Sequence, residues 1–380
     1  MKNVLEIFAA GARDGVYPGG QLAISLECER LITTSVGVVG PSMRQTNDDV
    51  RYDLSSLTKP LATTILVGRA LERGLCRLED PIARLVPGAP SEVTLEHCLD
   101  HSAGFPAHRR FDLEIDPAIP PGSWEAWRAV VAAAAATPLE TRPGEAAVYS
   151  DLGFILLGAA VEIMFGLPIS SGTALLGTSL AFRDRRGPPA VPPAPSPSLI
   201  APTEGWKPGF VHDENARVMG GAAGHAGLFG NADGVLKVAE NLVLAYHGWT
   251  GGLLKPETVR RLWQPSRVRG STRTLGWDRP SKQGSSTGGR WPRHSIGHLG
   301  FTGTSLWIEP DRALIAVLIT NRVCPSRANN LIRRLRPALY DAIWEEWGAR
   351  PVRKKKAKGR TALPREGVLI EVPTQRIKIE

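Results

Sequence analysis

The sequence predicts an α+β fold, in which β-rich segments near both ends of the chain form an antiparallel sheet and most of the intervening residues form helices. Three observations indicate this fold: a β-rich pair of segments over 20–39, a stretch of helices and loops over 75–170, and a second apolar pair between 304 and 320. This order is typical of a sheet domain interrupted by a helical insertion. With 380 residues, 42% of them hydrophobic and 22% charged, the chain can bury a large core.

The elements before the connector follow local patterns. Residues 20–39, GQLAISLECERLITTSVGVV, contain two β-rich runs around a polar turn at Glu27–Arg30, which predicts a hairpin. From Ser56 to Gly74, apolar residues recur at helical spacing, and Pro60 falls in the first turn, where its missing N–H costs little. Further helices are predicted around Trp124–Ala136, Leu152–Phe165 and, beyond the connector, Asp233–Tyr246.

The end of the folded part returns to strands. Thr304–Ile308 and Ala313–Thr320 flank the short turn Glu309–Arg312 and predict a second antiparallel hairpin, followed by an amphipathic helix over Ser326–Trp347.

The predicted domains are a discontinuous sheet domain and a helical insertion. The sheet domain comprises residues 1–55 and 205–349, and the mainly helical domain comprises 56–204. The helical domain includes a proline-rich connector over 187–198, where six of twelve residues are proline.

The net charge of +9 is concentrated in one short segment. Residues 350–360, RPVRKKKAKGR, contain seven basic and no acidic residues, which leaves about +2 for the rest of the chain. This composition predicts a basic, disordered tail over 350–380. It disfavours nucleic acid as the partner of the folded part.

The remaining composition indicates a cytoplasmic protein. No apolar run approaches the roughly 20 residues that a bilayer span requires. The N-terminus contains Glu6, Arg13 and Asp14 instead of an uninterrupted apolar core, so we expect no signal peptide. The four cysteines lack metal-site spacing, and His97 and His101 lack a third ligand. We therefore expect free thiols, packing roles for the two histidines, and no metal.

The segment RYDLSSLTKPLATT places Ser56 three residues before Lys59. A Ser-x-x-Lys pattern arises by chance about once in a chain of this length, and serine at such a position commonly caps a helix. The spacing nevertheless puts both side chains on one helical face, so an ammonium can lie against a hydroxyl. The helix N-terminus adds backbone donors that favour the oxyanion formed during attack. The segment alone therefore leaves both a nucleophile and an N-cap open.

Two further segments carry groups suited to acyl transfer. In VYSDLGFILLG, Tyr149 precedes a strongly apolar helix and is either a packed ring or a phenol placed beside Lys59. In GHLGFTGTSLWI, the titratable His298 stands at a glycine-rich entry into a strand. Gly300 allows a backbone to approach a ligand closely, and the next N–H, from Phe301, is a candidate oxyanion donor.

The order of these three motifs resembles that of the serine β-lactamase and penicillin-binding-protein superfamily. The similar branch is that of class C β-lactamases, related carboxylesterases, and D-aminopeptidase or D-alanyl-D-alanine carboxypeptidase relatives. The similarity covers roughly residues 5–348, with secondary landmarks at Leu78–Pro81, His101–Phe105, Pro143–Gly144 and Thr320–Arg322. The resemblance implies the β-lactamase/transpeptidase-like fold, with an antiparallel sheet flanked by helices and a mainly helical domain.

The resemblance also implies a role for each motif residue. Ser56 would be the acylated nucleophile, Lys59 its activating partner and Tyr149 the general base. His298 would take the place of the third-motif Lys or His, and the N–H groups of Ser56 and Phe301 would form the oxyanion hole. The implied reaction is two-step acyl transfer on a small-molecule or peptide substrate, with water as the usual acceptor and no cofactor.

Two departures from the superfamily pattern narrow the expected substrates. Asp151 stands where many members have asparagine, and a carboxylate cannot donate the amide hydrogen bond that helps hold an acylamino side chain. His298 and Leu299 replace the lysine and threonine that bind the carboxylate of β-lactams and of terminal D-alanine. Histidine offers a charge only near or below its pKa of about 6.5. We therefore expect Asp151 and Gly300 to bind substrate, and β-lactam hydrolysis to be inefficient.

Another stretch, within residues 211–229, resembles a signature of serine hydrolases that accompany cell-wall recycling glycosidases, including exo-acting N-acetylmuramoyl-L-alanine amidases. It reads VHDENA and, after a short gap, GGAAGHAGLF. If this glycine-rich loop lines the cleft, Asn215 or His225 contacts substrate. The alternative is that His212–Asn215 cap and brace a loop and that His225 is structural.

The function predicted from these motifs is a serine hydrolase acting on an ester or amide, with a cell-wall-derived muropeptide or small ester as favoured substrate. One alternative is a true β-lactamase or a D-Ala-D-Ala carboxypeptidase. An alternative of another class is a catalytically weak binding or sensor protein that keeps the fold. The joint presence of Ser56, Lys59 and Tyr149 favours the enzyme.

Overall fold

A computed structural model describes residues 1–40, 44–186, 199–206 and 208–349. The connector over 187–198 and the basic tail over 350–380 lie outside these residues. The helices are α1 (Lys2–Arg13), α2 (Thr64–Glu72), α3 (Leu95–Leu99), α4 (Phe111–Glu114), α5 (Trp124–Ala135), α6 (Asp151–Phe165), α7 (Ile169–Gly172), α8 (Glu214–Val218), α9 (Ala232–Tyr246), α10 (Pro256–Leu262) and α11 (Ile332–Ile343). The strands are β1 (Gly19–Leu26), β2 (Glu29–Val39), β3 (Arg44–Gln45), β4 (Tyr52–Asp53), β5 (Ala181–Phe182), β6 (Leu228–Gly230), β7 (Ile296–Leu299), β8 (Ser305–Glu309) and β9 (Leu314–Thr320).

The main sheet joins strands from both ends of the chain, as predicted. Its order among the described residues is β3-β2-β1-β9-β8-β7, and every neighbouring pair is antiparallel. The predicted hairpins are β1–β2 and β8–β9, and they meet where Leu22 of β1 pairs with Leu318 of β9. The predicted α+β fold is confirmed.

The two faces of this sheet are covered by different helices. Because side chains alternate along a strand, β9 serves both faces. Leu314, Ala316 and Leu318 pack with α1 and α11, whereas Ile315, Val317 and Ile319 face the larger core that contains α9 and the helical region. The helical region shares this core with the sheet. The domain boundaries at 55 and 205 therefore stay a prediction.

Helix α6 lies at the centre of the helical region, with Leu152–Glu162 buried. Within the described ranges, no single helix has the length and apolar character that a membrane span needs. The pair formed by α6 and Ile169–Leu176, bent by 75°, meets both criteria together.

The predicted helix over Ser56–Gly74 is divided into three parts. A 3₁₀ turn at Ser55–Leu57 is followed by a π-helical stretch at Lys59–Thr63 and then by α2. Wide turns of the π type are frequent at functional sites. Here the change of helical period sets the direction in which Lys59 projects.

The predicted helix over Ser326–Trp347 begins later than the sequence indicated, because α11 starts at Ile332. The residues before it form a loop around Arg322, whose guanidinium donates hydrogen bonds to the carbonyls of Arg327 and Asn329. This loop forms part of the rim of the candidate site.

Candidate active site

Ser56 lies at a strained turn between β4 and α2. The residue before it, Ser55, has a φ of +51° although it is not glycine, a conformation that costs about 1–3 kcal/mol and is common at functional sites. The buried carboxylate of Asp53 accepts hydrogen bonds from the N–H groups of Ser55 (2.8 Å) and His212 (2.6 Å). The hydroxyl of Thr58 donates to the Ser55 carbonyl at 2.7 Å. These bonds hold the strained backbone that presents Ser56 to the cleft.

Lys59 is fully buried, and its ammonium is saturated with acceptors. Its Nζ donates to Ser56 Oγ at 3.2 Å, to Asp151 Oδ1 at 2.8 Å and to the His225 carbonyl at 3.1 Å. An ammonium has three N–H groups, so these three bonds use all of them. The predicted proximity of lysine and serine is therefore part of a network that also includes Asp151.

The partners of Lys59 decide its charge. Burial lowers the pKa of Lys59, but the Asp151 carboxylate and the nearby Tyr149 outweigh burial and raise this pKa above its ordinary value. Burial likewise raises the pKa of Asp151, but Lys59 and His108 bring it below the usual range. Both groups are therefore ionised at neutral pH.

Tyr149 lies between Lys59 and the opposite wall of the cleft. The centre of its ring is 4.9 Å from Lys59 Nζ and 5.0 Å from the guanidinium carbon of Arg273. The rings of His101 and His298 approach it, with centroid distances of 4.6 and 5.8 Å. The ring of Tyr149 thus has two cationic side chains and two imidazoles as close neighbours.

His298 is buried and neutral, which corrects the expectation that it becomes charged near its ordinary pKa. Burial, with Lys59 and Arg273 nearby, lowers the pKa of His298 to about 3. Its Nδ1 lies 2.8 Å from the Leu299 carbonyl. Since a carbonyl only accepts, Nδ1 carries the proton. The Nε2 atom is buried and has no hydrogen-bond partner among the described residues, so it presents a lone pair.

The turn between β7 and β8 is fastened against the backbone that precedes Ser56. The hydroxyls of Thr302 and Thr304 donate to the carbonyls of Asp53 (2.6 Å) and Leu54 (3.0 Å). A Cβ at Gly300 would collide with the Thr304 hydroxyl and the Leu54 carbonyl, so glycine is required there.

The N–H of Phe301, the candidate oxyanion donor, gives its hydrogen bond to Ser55 Oγ at 3.2 Å. It therefore points at the residue next to Ser56. That the N–H groups of Phe301 and Ser56 form the oxyanion hole therefore remains a prediction.

Asn215 and His225 lie inside the protein instead of on the cleft wall. Asn215 is fully buried, accepts from the Asp112 N–H (3.1 Å) and donates to the Arg109 carbonyl (2.8 Å). The buried ring of His225 donates through Nε2 to Asp213 at 2.8 Å. These contacts match the loop-bracing alternative and not the substrate contact that we expected for the two side chains.

Sequence reasoning missed two side chains of the cleft. His108 lies 3.2 Å from Asp151 Oδ2 through Nδ1, and Arg273 lies against Tyr149. Neither belongs to a recognised motif. His108 follows the landmark His101–Phe105 by three residues, which is the one local signal that could have drawn attention to it.

These residues line a cleft of about 690 Å³. Its walls include Ser55, Ser56, His108, Tyr149, Asp151, Asp213, Glu214, Arg273, His298, Gly300, Phe301, Arg333 and Arg336. The lining contains both carboxylates and several arginines. A cleft of this size accommodates a peptide-sized or drug-sized ligand.

A group that could hold a metal lies elsewhere. Ligand atoms of His294, Glu309 and Asp311 lie within 4.8 Å of one another, and His294 is hydrogen-bonded to Glu309 at 2.6 Å. None of the three lines the cleft around Ser56. His97 belongs to a capping box with Thr94 instead.

A family profile described as Beta-lactamase matches residues 4–339. Among curated proteins, the chain is 27% identical over 311 residues to a putative D-alanyl-D-alanine carboxypeptidase of Escherichia coli K12, covering 71% of this chain and 69% of the relative. A relative with the same description from Salmonella typhimurium is 26% identical.

Solved structures match over most of the chain. EstCE1, described as a hydrolase with promiscuous acyltransferase activity, superposes with a TM-score of 0.69 at 20% identity, covering 89% of this chain and 98% of that one. A penicillin-binding-protein homologue from Caulobacter crescentus gives a TM-score of 0.67 at 19% identity, covering 90% and 97%. At these identities the likeness shows a shared fold.

Proposed function

The chain belongs to the β-lactamase family and is a serine hydrolase of the β-lactamase and penicillin-binding-protein superfamily, and from this premise we propose that it hydrolyses an ester or amide through an acyl-enzyme on Ser56. One observation carries the proposal: Ser56 Oγ lies 3.2 Å from the buried ammonium of Lys59 at the floor of a large cleft. In the first step, Ser56 Oγ attacks the substrate carbonyl and the leaving group departs with a proton. In the second step, water attacks the acyl-enzyme and releases the acid.

Lys59 acts in this proposal as a fixed cation. An ammonium that donates to Ser56, Asp151 and the His225 carbonyl has no lone pair with which to accept the serine proton. Its charge instead stabilises negative charge on the attacking oxygen and on the phenol beside it.

The proton acceptor is then Tyr149. Its ring centre lies 4.9 Å from the Lys59 ammonium and 5.0 Å from the Arg273 guanidinium, and these two cations stabilise the negative charge that develops near the ring while the serine proton is transferred. Tyr149 takes the proton of Ser56 during acylation and activates water during deacylation. The bare Nε2 of His298, on the other side of the ring, accepts hydrogen bonds from the phenol or from this water. A pKa of about 3 makes His298 too weak a base to replace Tyr149.

The oxyanion is bound where Ser55 now meets Phe301. A substrate carbonyl that accepts a hydrogen bond from the Phe301 N–H must displace Ser55 Oγ from it. The hydrogen bond that is broken contributes about 1 kcal/mol. The Ser56 N–H, at the start of the 3₁₀ turn, is the second donor.

The favoured substrate is a peptide-type amide derived from the cell wall, with small esters as further substrates. The curated relatives carry the description of putative D-alanyl-D-alanine carboxypeptidases, and the cleft lining offers both carboxylates and arginines to a peptide-type substrate. Efficient β-lactam hydrolysis is disfavoured, because His298 is neutral and supplies no positive charge for a β-lactam carboxylate.

The proposal is tested with p-nitrophenyl acetate, comparing wild type with Ser56→Ala and with Ser91→Ala, an exposed serine outside the cleft. We expect turnover in wild type and in Ser91→Ala, and background hydrolysis in Ser56→Ala. If all three proteins hydrolyse the ester at the same rate, Ser56 does not carry the reaction and a binding or sensor protein becomes the better account. Mass spectrometry of muropeptide mixtures, before and after incubation, then identifies the bond that is cleaved.

A further inference from the structure

His108 offers the cleft a hydrogen-bond donor that no motif assigns. Its ring is 40% exposed on the cleft wall, and Nδ1 lies 3.2 Å from Asp151 Oδ2. Because a carboxylate only accepts, Nδ1 carries a proton and Asp151 fixes the orientation of the ring. The other nitrogen, Nε2, has no protein partner within the described part of the chain.

The neighbours of His108 favour its protonated form. The hydrogen bond that Nδ1 donates to Asp151 raises the pKa of His108 above its ordinary value; burial acts against it, and the charges of Asp151, Asp213 and Glu214 add to the rise. Lys59, which lies behind Asp151, contributes positive charge at a greater distance. In the protonated ring, Nε2–H is available to a ligand as well as Nδ1–H to Asp151, and the carboxylates around it can only accept.

We propose that His108 binds substrate, donating from Nε2–H to an acceptor oxygen on the acyl part, such as the carbonyl of an acylamino group next to the scissile bond. This proposal rests on the proposed acylation of Ser56. Asp151 links the two ends of the arrangement, because its Oδ1 holds the Lys59 that contacts Ser56 while its Oδ2 holds His108. Substrates of the peptide type present such an oxygen, and simple acetate esters do not.

The test compares two esters that differ by the acylamino group: p-nitrophenyl acetate and the p-nitrophenyl ester of N-acetyl-D-alanine. The measured quantity is the ratio of their kcat/KM values, so that a general loss of activity cancels. In His108→Ala we expect this ratio to fall about tenfold, mainly through KM for the acylamino ester, because a hydrogen bond to a charged group is lost. His108→Gln keeps an uncharged donor and is expected to retain most of the ratio. His247→Ala, at an exposed histidine outside the cleft, is the matched control and should leave it unchanged.

The dependence of the ratio on pH separates binding from a structural role. In wild type the ratio should fall as the pH rises through the pKa of His108, since the neutral ring keeps Nδ1–H toward Asp151 and loses Nε2–H. In His108→Gln the ratio should not change with pH. A structural role alone would lower both kcat/KM values together and leave their ratio constant.

Two results overturn the proposal. An unchanged ratio in His108→Ala, with both esters still hydrolysed through Ser56, removes the role of His108 and leaves the proposed function intact. If neither ester is hydrolysed faster by wild type than by Ser56→Ala, the proposed function fails and the role of His108 fails with it.

Discussion

Lys59 and His298, two titratable side chains on different walls beside Ser56, are buried to a similar extent, but Lys59 is charged and His298 is neutral. On one wall, Lys59 is fully buried and remains an ammonium, because Asp151 and two further acceptors surround it. On the other wall, His298 is 3% exposed and remains neutral, because burial, and after it the cations Lys59 and Arg273, lower its pKa. Burial therefore disfavours the charged form of both side chains, and only Lys59 has an anionic partner that outweighs burial. The site has a fixed positive charge on one wall and a neutral acceptor on the other.

The largest effect is expected from removing the fixed charge. Lys59→Met should lower kcat/KM for p-nitrophenyl acetate about 10³-fold, since the charge that stabilises negative charge on the attacking oxygen is lost. Asp151 is left without its main partner, so the free energy of unfolding should fall by about 3 kcal/mol in urea titrations. Lys237→Met, at an exposed lysine on α9, is the control and should change neither quantity measurably. Near-normal turnover in Lys59→Met would remove the role of the cation.

A smaller effect is expected when the charge of Lys59 is kept but its partner is neutralised. Asp151→Asn should lower kcat/KM about tenfold at neutral pH. The variant lacks the anion that raises the pKa of Lys59, so burial brings this pKa down. The ammonium is then lost at a lower pH, and the alkaline limb of the pH–rate profile should move toward neutrality. An alkaline limb at the wild-type position would show that Asp151 does not hold the charge of Lys59.

Replacing the neutral His298 should lower kcat/KM less than removing the charge of Lys59. His298→Gln replaces one uncharged hydrogen-bonding group with another, so kcat/KM should fall by only about threefold to tenfold. Because the pKa of His298 is about 3, His298 does not titrate between about pH 5 and 7. The shape of the acid limb in this range should therefore be the same in wild type and variant. Loss of the acid limb in His298→Gln would show that the histidine titrates during catalysis.

The smallest effect on activity is expected from changing Asn215, which is buried and does not line the cleft. Asn215→Ala removes the hydrogen bonds of this buried side chain to the partly buried Asp112 N–H and Arg109 carbonyl. The free energy of unfolding should fall by about 1–3 kcal/mol, while KM for p-nitrophenyl acetate stays within about twofold of wild type. A large increase in KM with unchanged stability would restore the substrate contact that the sequence suggested.

The elements of the fold could be predicted from the sequence because their signals are local. The segments of β1–β2 and β8–β9 carry their strand pattern and turn residues within about 20 positions. Ser56 and Lys59 are likewise brought together by helical spacing alone. The sequence did not indicate the π-helical stretch at Lys59–Thr63, because a widened turn leaves no mark in hydrophobic spacing.

The charges of the site could not be predicted, because they depend on contacts between distant segments. His108 and Asp151 are 43 residues apart, and Lys59 and Asp151 are 92 apart. Motif spacing singled out His298, which lines the cleft, but gave no information on its burial or on nearby cations. The ordinary pKa of histidine therefore did not predict its neutral state. Asn215 shows the converse, since a polar residue in a motif-like stretch can have backbone groups as partners instead of substrate.

The central claim is that Ser56, and not the adjacent Ser55, is the nucleophile. The most direct measurement is to label the protein with a fluorophosphonate and locate the adduct by peptide mass spectrometry. We predict one adduct per chain on Ser56, an adduct of the same kind in Ser55→Ala, and none in Ser56→Ala. An adduct on Ser55, or equal labelling of wild type and Ser56→Ala, would contradict this account.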